Sequence, residues 1–258
     1  SCTAWLLTIG PTAGVDPESF IHSKFIIVWA CNSVSTNLHH WHIIKEAQKS
    51  GAKVVVIDSY ASRTAKEADW PVCPKPGTCG ALAMAMMNVI IEEELIDKDY
   101  VDNYTVGFAE LAEKAKERTP EWAEEITGIK ADDIRKLAKE YASTQPSAIR
   151  IGVALEKSWG GSQAIRAVTS LPALTGAWRH VGGGILQFPV WEHPYKFDVI
   201  CRPDLIPEGT QVVNNLQLGR VLTGEQKLNV IYYLCPLWNY IGAANHIEFI
   251  WMFPNRKL

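Results

Sequence analysis

The sequence predicts an α/β protein: a doubly wound, mostly parallel sheet flanked by helices, with a helical insertion around 97–144. Three observations carry this. Short apolar runs rich in β-branched residues recur at 25–29 (FIIVW), 53–58 (KVVVID) and 148–153 (AIRIGV). A helix-like segment separates the first two, and a β–α–β succession implies a parallel pair joined by a right-handed crossover. The runs also leave into polar or glycine-containing turns, as strands do where they pass to loops at a sheet edge.

Taken in order, the first run ends at the polar turn Cys31-Asn32-Ser33, and a helix is expected from about 37 to 50, closed by Gly51. The second run ends on Asp58, with Ser59, Ser62, Arg63 and Thr64 directly behind it. Residues 80–95, rich in Ala, Met and Ile, read as a helix buried on most of its circumference. Residues 97–144 are charge-rich and helical. There Ile134, Leu137, Ala138 and Tyr141 share one face, while Asp132 and Asp133 suit the positive end of the helix dipole. A strand over 148–153 follows Pro146, then a helix over about 162–174 that ends in Leu174-Thr175-Gly176, and Gly182-Gly183-Gly184 reads as a loop. Beyond 187 the prolines at 189, 194, 203 and 207 mark irregular chain, with one further strand candidate at 229–234. Residues 1–187 are therefore expected to form one α/β domain. Residues 188–258 are expected to be an irregular segment belonging to an incomplete neighbouring domain.

Composition narrows the function classes. The 258 residues are 47% hydrophobic and 21% charged, enough to bury a sizeable core. A net charge of −3 gives no electrostatic case for nucleic acid, and the basic residues are scattered. No stretch approaches the roughly 20 apolar residues of a membrane span. The first residues carry no basic-then-apolar leader pattern, which leaves cytoplasm and periplasm both open. Six cysteines, at 2, 31, 73, 79, 201 and 235, form no C-x-x-C pair, so neither a zinc ribbon nor a clustered iron–sulfur motif is visible. Cys73 and Cys79 are expected to stay free thiols, because the intervening Pro-Lys-Pro-Gly-Thr stiffens the loop between them.

Ligands of open α/β sheets bind beyond the carboxyl ends of the strands. Three such places are readable: the turn at Asn32 and Ser33, the pair Asp58 and Ser59, and the turn Pro76-Gly77-Thr78 feeding a helix start. Strand ends at Trp29, Asp58 and Val153 are expected around one crevice. There a carboxylate accepts from nucleotide N–H or O–H groups, and helix-start N–H groups take phosphate. A strand-end acid is equally an ordinary exit to a loop, and spacing alone leaves both readings standing. No G-x-G-x-x-G follows the first strand and no phosphate-loop lysine motif exists. His39 and His42 share a helix face, but no further ligands stand at a metal-binding spacing, so they read as helix-lining residues and no metal ligand is assigned. No G-x-S-x-G or other catalytic constellation is legible.

The order IDSYASRTAKEAD, PKPGTCGALAMAMMNVIIEEELID, YVDNYTVGF, TPEWAEEITGIKADDIRKLAKEYA and LTGAWRHVGGGI resembles the molybdopterin oxidoreductases of the dimethyl sulfoxide reductase family, collinearly over about 10–186. The resemblance implies a molybdopterin guanine dinucleotide cofactor with Mo or W, and two-electron redox of a small-molecule substrate. It also implies an electron-transfer iron–sulfur subunit as partner. Position by position, it places Asn32 and Ser33 in a G-x-N-P-like turn and Asp58 and Ser59 in a D-P-R-like turn. Pro76, Gly77 and Thr78 fall in a P-G-T-D loop, and Gly176 and Gly183 in a T-G-N…G-G-G segment, all as cofactor-binding positions. This chain departs from that pattern at Ala30-Cys31, where two glycines are common, and at Ser33 and Ser59, which replace prolines. It departs again at Cys79, which replaces an aspartate, and at Ala177, which replaces an asparagine. The chain is short for the family: any iron–sulfur cluster, the metal's protein ligand and the remaining cofactor-binding domain are expected outside it, and no catalytic residue is identified within it. The alternative is a cofactor-free structural or assembly subunit that keeps the fold.

Overall fold

A computed structural model describes residues 2–10, 14–187 and 196–209. Five parallel strands form one sheet: β1 (Phe25–Trp29), β2 (Lys53–Ile57), β3 (Trp70–Val72), β4 (Ser147–Ile151) and β5 (Gly184–Leu186). Their spatial order is β3-β2-β1-β4-β5. The chain thus winds outward one way through β2 and β3 and the other way through β4 and β5. The direction reverses between β1 and β4, the place where open α/β sheets gather their ligands. Register aligns Trp29 with Ile57 on one side and with Ile151 on the other.

Eleven helices are described: α1 (Cys2–Leu6), α2 (Ser33–Thr36), α3 (Leu38–Lys49), α4 (Arg63–Lys66), α5 (Cys79–Glu92), α6 (Lys98–Tyr104), α7 (Phe108–Lys116), α8 (Pro120–Thr127), α9 (Ala131–Ser143), α10 (Gly161–Leu174) and α11 (Phe197–Cys201). Helices α6 to α9 are the charge-rich insertion. Successive strand residues point to opposite faces, so β1 feeds two cores. Phe25, Ile27 and Trp29 pack with Val55, Ile57, Ile149 and Ile151 under α5, α9 and α10. Ile26 and Val28 pack with Val54, Val56 and Ala148 under Trp41, Ile44 and Ala47 of α3. All five β1 residues are buried, the burial expected of a central parallel strand covered on both sides. Two compact units are distinguished, Thr3–Trp191 and Glu192–Leu258. In the second, the described residues form α11 and a 3-10 turn at Pro203–Leu205.

The structure corrects several sequence expectations. The third run stops at Ile151 rather than Val153, because Gly152 turns the chain against the β1 exit and a 3-10 turn begins at Val153. The helix expected over 37–50 is present as α3, capped by Asn37, whose side chain accepts from the His40 N–H (3.3 Å); the short α2 before it was not foreseen. Gly184 belongs to a strand, not to a loop. Strands β3 and β5, three residues each, were not foreseen. The strand candidate at 229–234 lies outside the described residues.

Candidate functional site

The carboxyl ends of β1, β2 and β3 open onto three turns, with the β4 exit beside the first. At the first, Ala30 adopts φ +50°, a left-handed conformation that costs a residue with a Cβ about 1–2 kcal/mol. Opposite it, the Gly152 N–H donates to Trp29 O at 2.7 Å. A Cβ on Gly152 would lie on the Ala30 carbonyl oxygen and 2.6 Å from its carbon. The two backbones close the floor of the crevice.

Asn32 caps α2, and its backbone carbonyl accepts from the Ser35 and Thr36 N–H groups at 2.9 and 3.0 Å. Its side chain accepts from Thr64 Oγ1 at 2.9 Å and donates to Tyr60 Oη at 3.3 Å, tying the β1 exit to the β2 exit. Ser33 is buried in the first turn of α2, with its hydroxyl 3.4 Å from Cys31 Sγ. Asp58 is one residue past β2, half-buried, its N–H donating to Val72 O at 3.1 Å. One of its carboxylate oxygens accepts from the Ser59 N–H at 2.8 Å. Burial pushes the Asp58 carboxyl up, while the Ser59 N–H and the Ser62 hydroxyl pull it back down. Ser59 itself is exposed.

The third turn is Lys75-Pro76-Gly77-Thr78. A proline followed by glycine at φ +79°, closed by Thr78 N–H to Lys75 O at 3.3 Å, fits a type II turn. The Lys75 N–H anchors it on Thr127 O at the end of α8 (2.9 Å). The Thr78 hydroxyl donates to Lys75 O (2.7 Å) and makes no cap bond, so no Thr78 side chain covers the start of the 14-residue α5. Cys79 opens α5 between Trp29 and Asp58. The Trp29 indole N–H faces its thiol without a fully formed hydrogen bond, and burial pushes the thiol up.

The structure therefore brings Asn32, Ser33, Asp58, Ser59, Pro76, Gly77 and Thr78 to one edge of the sheet. It does not bring Gly176 and Gly183 there. Helix α10 starts at the carboxyl edge and runs back, leaving both glycines at the amino edge. A Cβ on Gly176 would meet Asp97 (2.7 Å from its Cγ), and one on Gly183 would abut the Ala177 carbonyl. Ser23 Oγ, two residues before β1, donates to Gly182 O (2.5 Å). These glycines let the chain pass closely on its way into β5. Sequence reasoning missed Tyr60 and Gly152, and placed Thr64 only as one of the polar residues behind Asp58.

Cys73 and Cys79 are free thiols, one exposed and one partly buried. Thiolates are the reactive form, so a maleimide or disulfide reagent at neutral pH is expected to label Cys73 at least tenfold faster than Cys79. Peptide mapping after timed labelling checks this; equal rates would mean that α5 opens readily at its start. Among the described residues no cluster of three His, Cys, Asp or Glu side chains stands in metal-binding proximity. His39 and His42 are exposed on α3, with His42 Nε2 3.5 Å from Glu46. No helix among the described residues is long and apolar enough to cross a membrane.

The groups at this edge suit an anionic ligand that also donates hydrogen bonds. Asp58 keeps acceptor capacity beyond its Ser59 bond. A Cβ on Gly77 would find only Ser158 Cβ, at 4.0 Å, and one on Gly160 nothing within 4 Å, so backbone is open to close approach on this side. The first-turn N–H groups of α5 lie at the same edge, suited to an anion.

The family model described as "Molybdopterin oxidoreductase" matches residues 9–248. The chain is 43% identical over 216 residues to "Probable oxidoreductase YoaE" of Bacillus subtilis (strain 168), covering 83% of this chain and 32% of that protein. It is 29% identical over 268 residues to "Dimethyl sulfoxide reductase DmsA" of Escherichia coli (strain K12), covering 89% of this chain and 32% of that protein. The solved structure of acetylene hydratase from Pelobacter acetylenicus superposes with a TM-score of 0.65 at 33% identity, over 71% of this chain and 25% of that one. The chain thus spans about a third of the length of the curated relatives it matches. A family match across most of its length shows that the chain belongs to the molybdopterin oxidoreductases of the dimethyl sulfoxide reductase type, a family of enzymes.

Proposed function

We propose that residues 1–187 supply a nucleotide-binding domain of a molybdenum or tungsten enzyme whose cofactor is bis-molybdopterin guanine dinucleotide. Residues 188–258 belong to a neighbouring domain. The whole enzyme carries out two-electron redox of a small substrate and exchanges electrons with an iron–sulfur subunit. The observation that carries this is the convergence of the Asn32, Asp58 and Thr78 turns beside the reversal of strand order. When bound, the metal–pterin group supplies the redox chemistry. This chain's residues do the holding: Asp58 accepts from N–H or O–H groups of the nucleotide, and the start of α5 with Gly77 receives its phosphoryl oxygens. A second reading, a cofactor-free structural subunit, is favoured by two features of the same edge. Ala30 holds a strained turn where a glycine would be free, and Cys79 offers a protonated thiol where a carboxylate would accept.

Calorimetric titration of the chain with guanosine monophosphate is expected to give measurable binding that Asp58→Ala weakens about tenfold, the worth of one hydrogen bond to a charged acceptor. Metal and pterin analysis of the natural complex is expected to find Mo or W together with pterin. Finding neither would sink the enzyme reading and leave the structural one.

A further inference from the structure

We propose that Tyr60 is the ligand-facing hydrogen-bond donor of the crevice, and that Asn32 positions it rather than binding ligand itself. This deepens the nucleotide-site reading above and rests on it. The hydrogen-bond wiring fixes the assignment. The Val34 N–H donates to Thr64 Oγ1 at 3.0 Å, so the Thr64 oxygen is already an acceptor. The Thr64 hydroxyl, fully buried, sends its own proton to Asn32 Oδ1 at 2.9 Å. That fixes the orientation of the Asn32 amide: its oxygen faces Thr64, and its Nδ2 donates to Tyr60 Oη at 3.3 Å. The Tyr60 oxygen is therefore an acceptor in this chain of bonds, and its hydroxyl proton is left to point outward. Tyr60 is 57% exposed, so a ligand at this edge can reach that proton.

Asn32 thus spends one amide N–H and its carbonyl on neighbours, and the group presented to a ligand lies 28 residues along the chain on the β2 exit. Two residues before Tyr60, Asp58 presents an acceptor. An acceptor and a neutral donor side by side suit a ligand that offers a hydroxyl or N–H next to an electron-rich oxygen. The oxygen that Tyr60 takes is phosphoryl: the same edge carries the start of α5, which favours the anionic part of a nucleotide.

The test is calorimetric titration of the 258-residue chain with guanosine monophosphate and, separately, guanosine. Tyr60→Phe, an exposed change that removes only the hydroxyl, is expected to weaken monophosphate binding about tenfold and to leave guanosine binding unchanged. Thr64→Val, which breaks the wiring behind Tyr60, is expected to weaken it several-fold. Thr64→Ser, which keeps the hydroxyl, restores binding. The double variant Tyr60→Phe/Thr64→Val binds no worse than Tyr60→Phe alone, because both act through one hydrogen bond. If Tyr60→Phe binds the monophosphate as well as the parent does, the assignment of Tyr60 fails while the nucleotide site stands. If Tyr60→Phe weakens both ligands equally, the donor serves the nucleoside and the phosphoryl assignment is wrong. If the parent binds neither ligand, the nucleotide-site reading fails and this inference goes with it.

Discussion

Gly152→Ala is expected to cost at least about 3 kcal/mol of stability, more than ordinary overpacking of a core site. The methyl carbon would sit 2.6 Å from the Ala30 carbonyl carbon and 3.0 Å from Cys31 Cα, both backbone atoms. A side chain can rotate away; these atoms cannot. Ala30 is already at φ +50°, with its N–H held by Ile57 O at 2.7 Å, so the β1 exit has no slack. Relief requires parting β1 from β4, which breaks the 2.7 Å Gly152 N–H to Trp29 O bond at the centre of the sheet. Thermal melting is expected to fall by roughly 10 °C or more in a domain of this size. A variant that melts within a few degrees of the parent would show that the two exits are not in contact.

Acid is expected to destabilise the fold through His40, and a His40→Leu variant is expected to lose that sensitivity. The His40 ring is 3% exposed, packs edge-on against Phe20 at 4.6 Å, and has no hydrogen-bond partner on either nitrogen. Burial, with a lesser push from the Arg150 charge, lowers it from 6.5 to about 3. The unfolded chain therefore takes up the proton first as pH falls. His40 contributes no penalty above about pH 6.5, and stability drops by about 1.4 kcal/mol per pH unit between there and about pH 3. Urea unfolding at pH 7 and pH 4.5 measures it. The parent should lose roughly 3 kcal/mol more than His40→Leu over that interval. At pH 7 the variant should be no less stable, since it removes two unpaired polar atoms. Equal losses in parent and variant would place the acid sensitivity elsewhere.

The long elements were legible because their signals are local. The five apolar residues of β1, the face of Ile134, Leu137, Ala138 and Tyr141 on α9, and the Ala- and Met-rich α5 each declare their period within one window. The short edge strands were not legible. Trp70–Val72 and Gly184–Leu186 hold three residues each, below any periodicity, and they are strands only because β2 and β4 offer unpaired edges beside them. The end of β4 also escaped the sequence, since Val153 is as apolar as the residues before it and only the packing against Ala30 ends the run.

For the site, the sequence alone determined the family and the identity of the three carboxyl-edge turns. Collinear motif order and residue type are properties of the chain itself. Only the tertiary structure decided which residues act together. It moved Gly176 and Gly183 to the opposite edge, because α10 runs about 20 Å back across the sheet at 1.5 Å per residue. It set Cys79 beside Asp58 and Trp29, which lie 21 and 50 residues away along the chain. It joined Asn32 by hydrogen bonds to Thr64 and Tyr60, 32 and 28 residues further on. The physical reason is that a hydrogen bond depends on distance and direction in space, and a parallel sheet with right-handed crossovers brings together strand exits that the sequence keeps far apart.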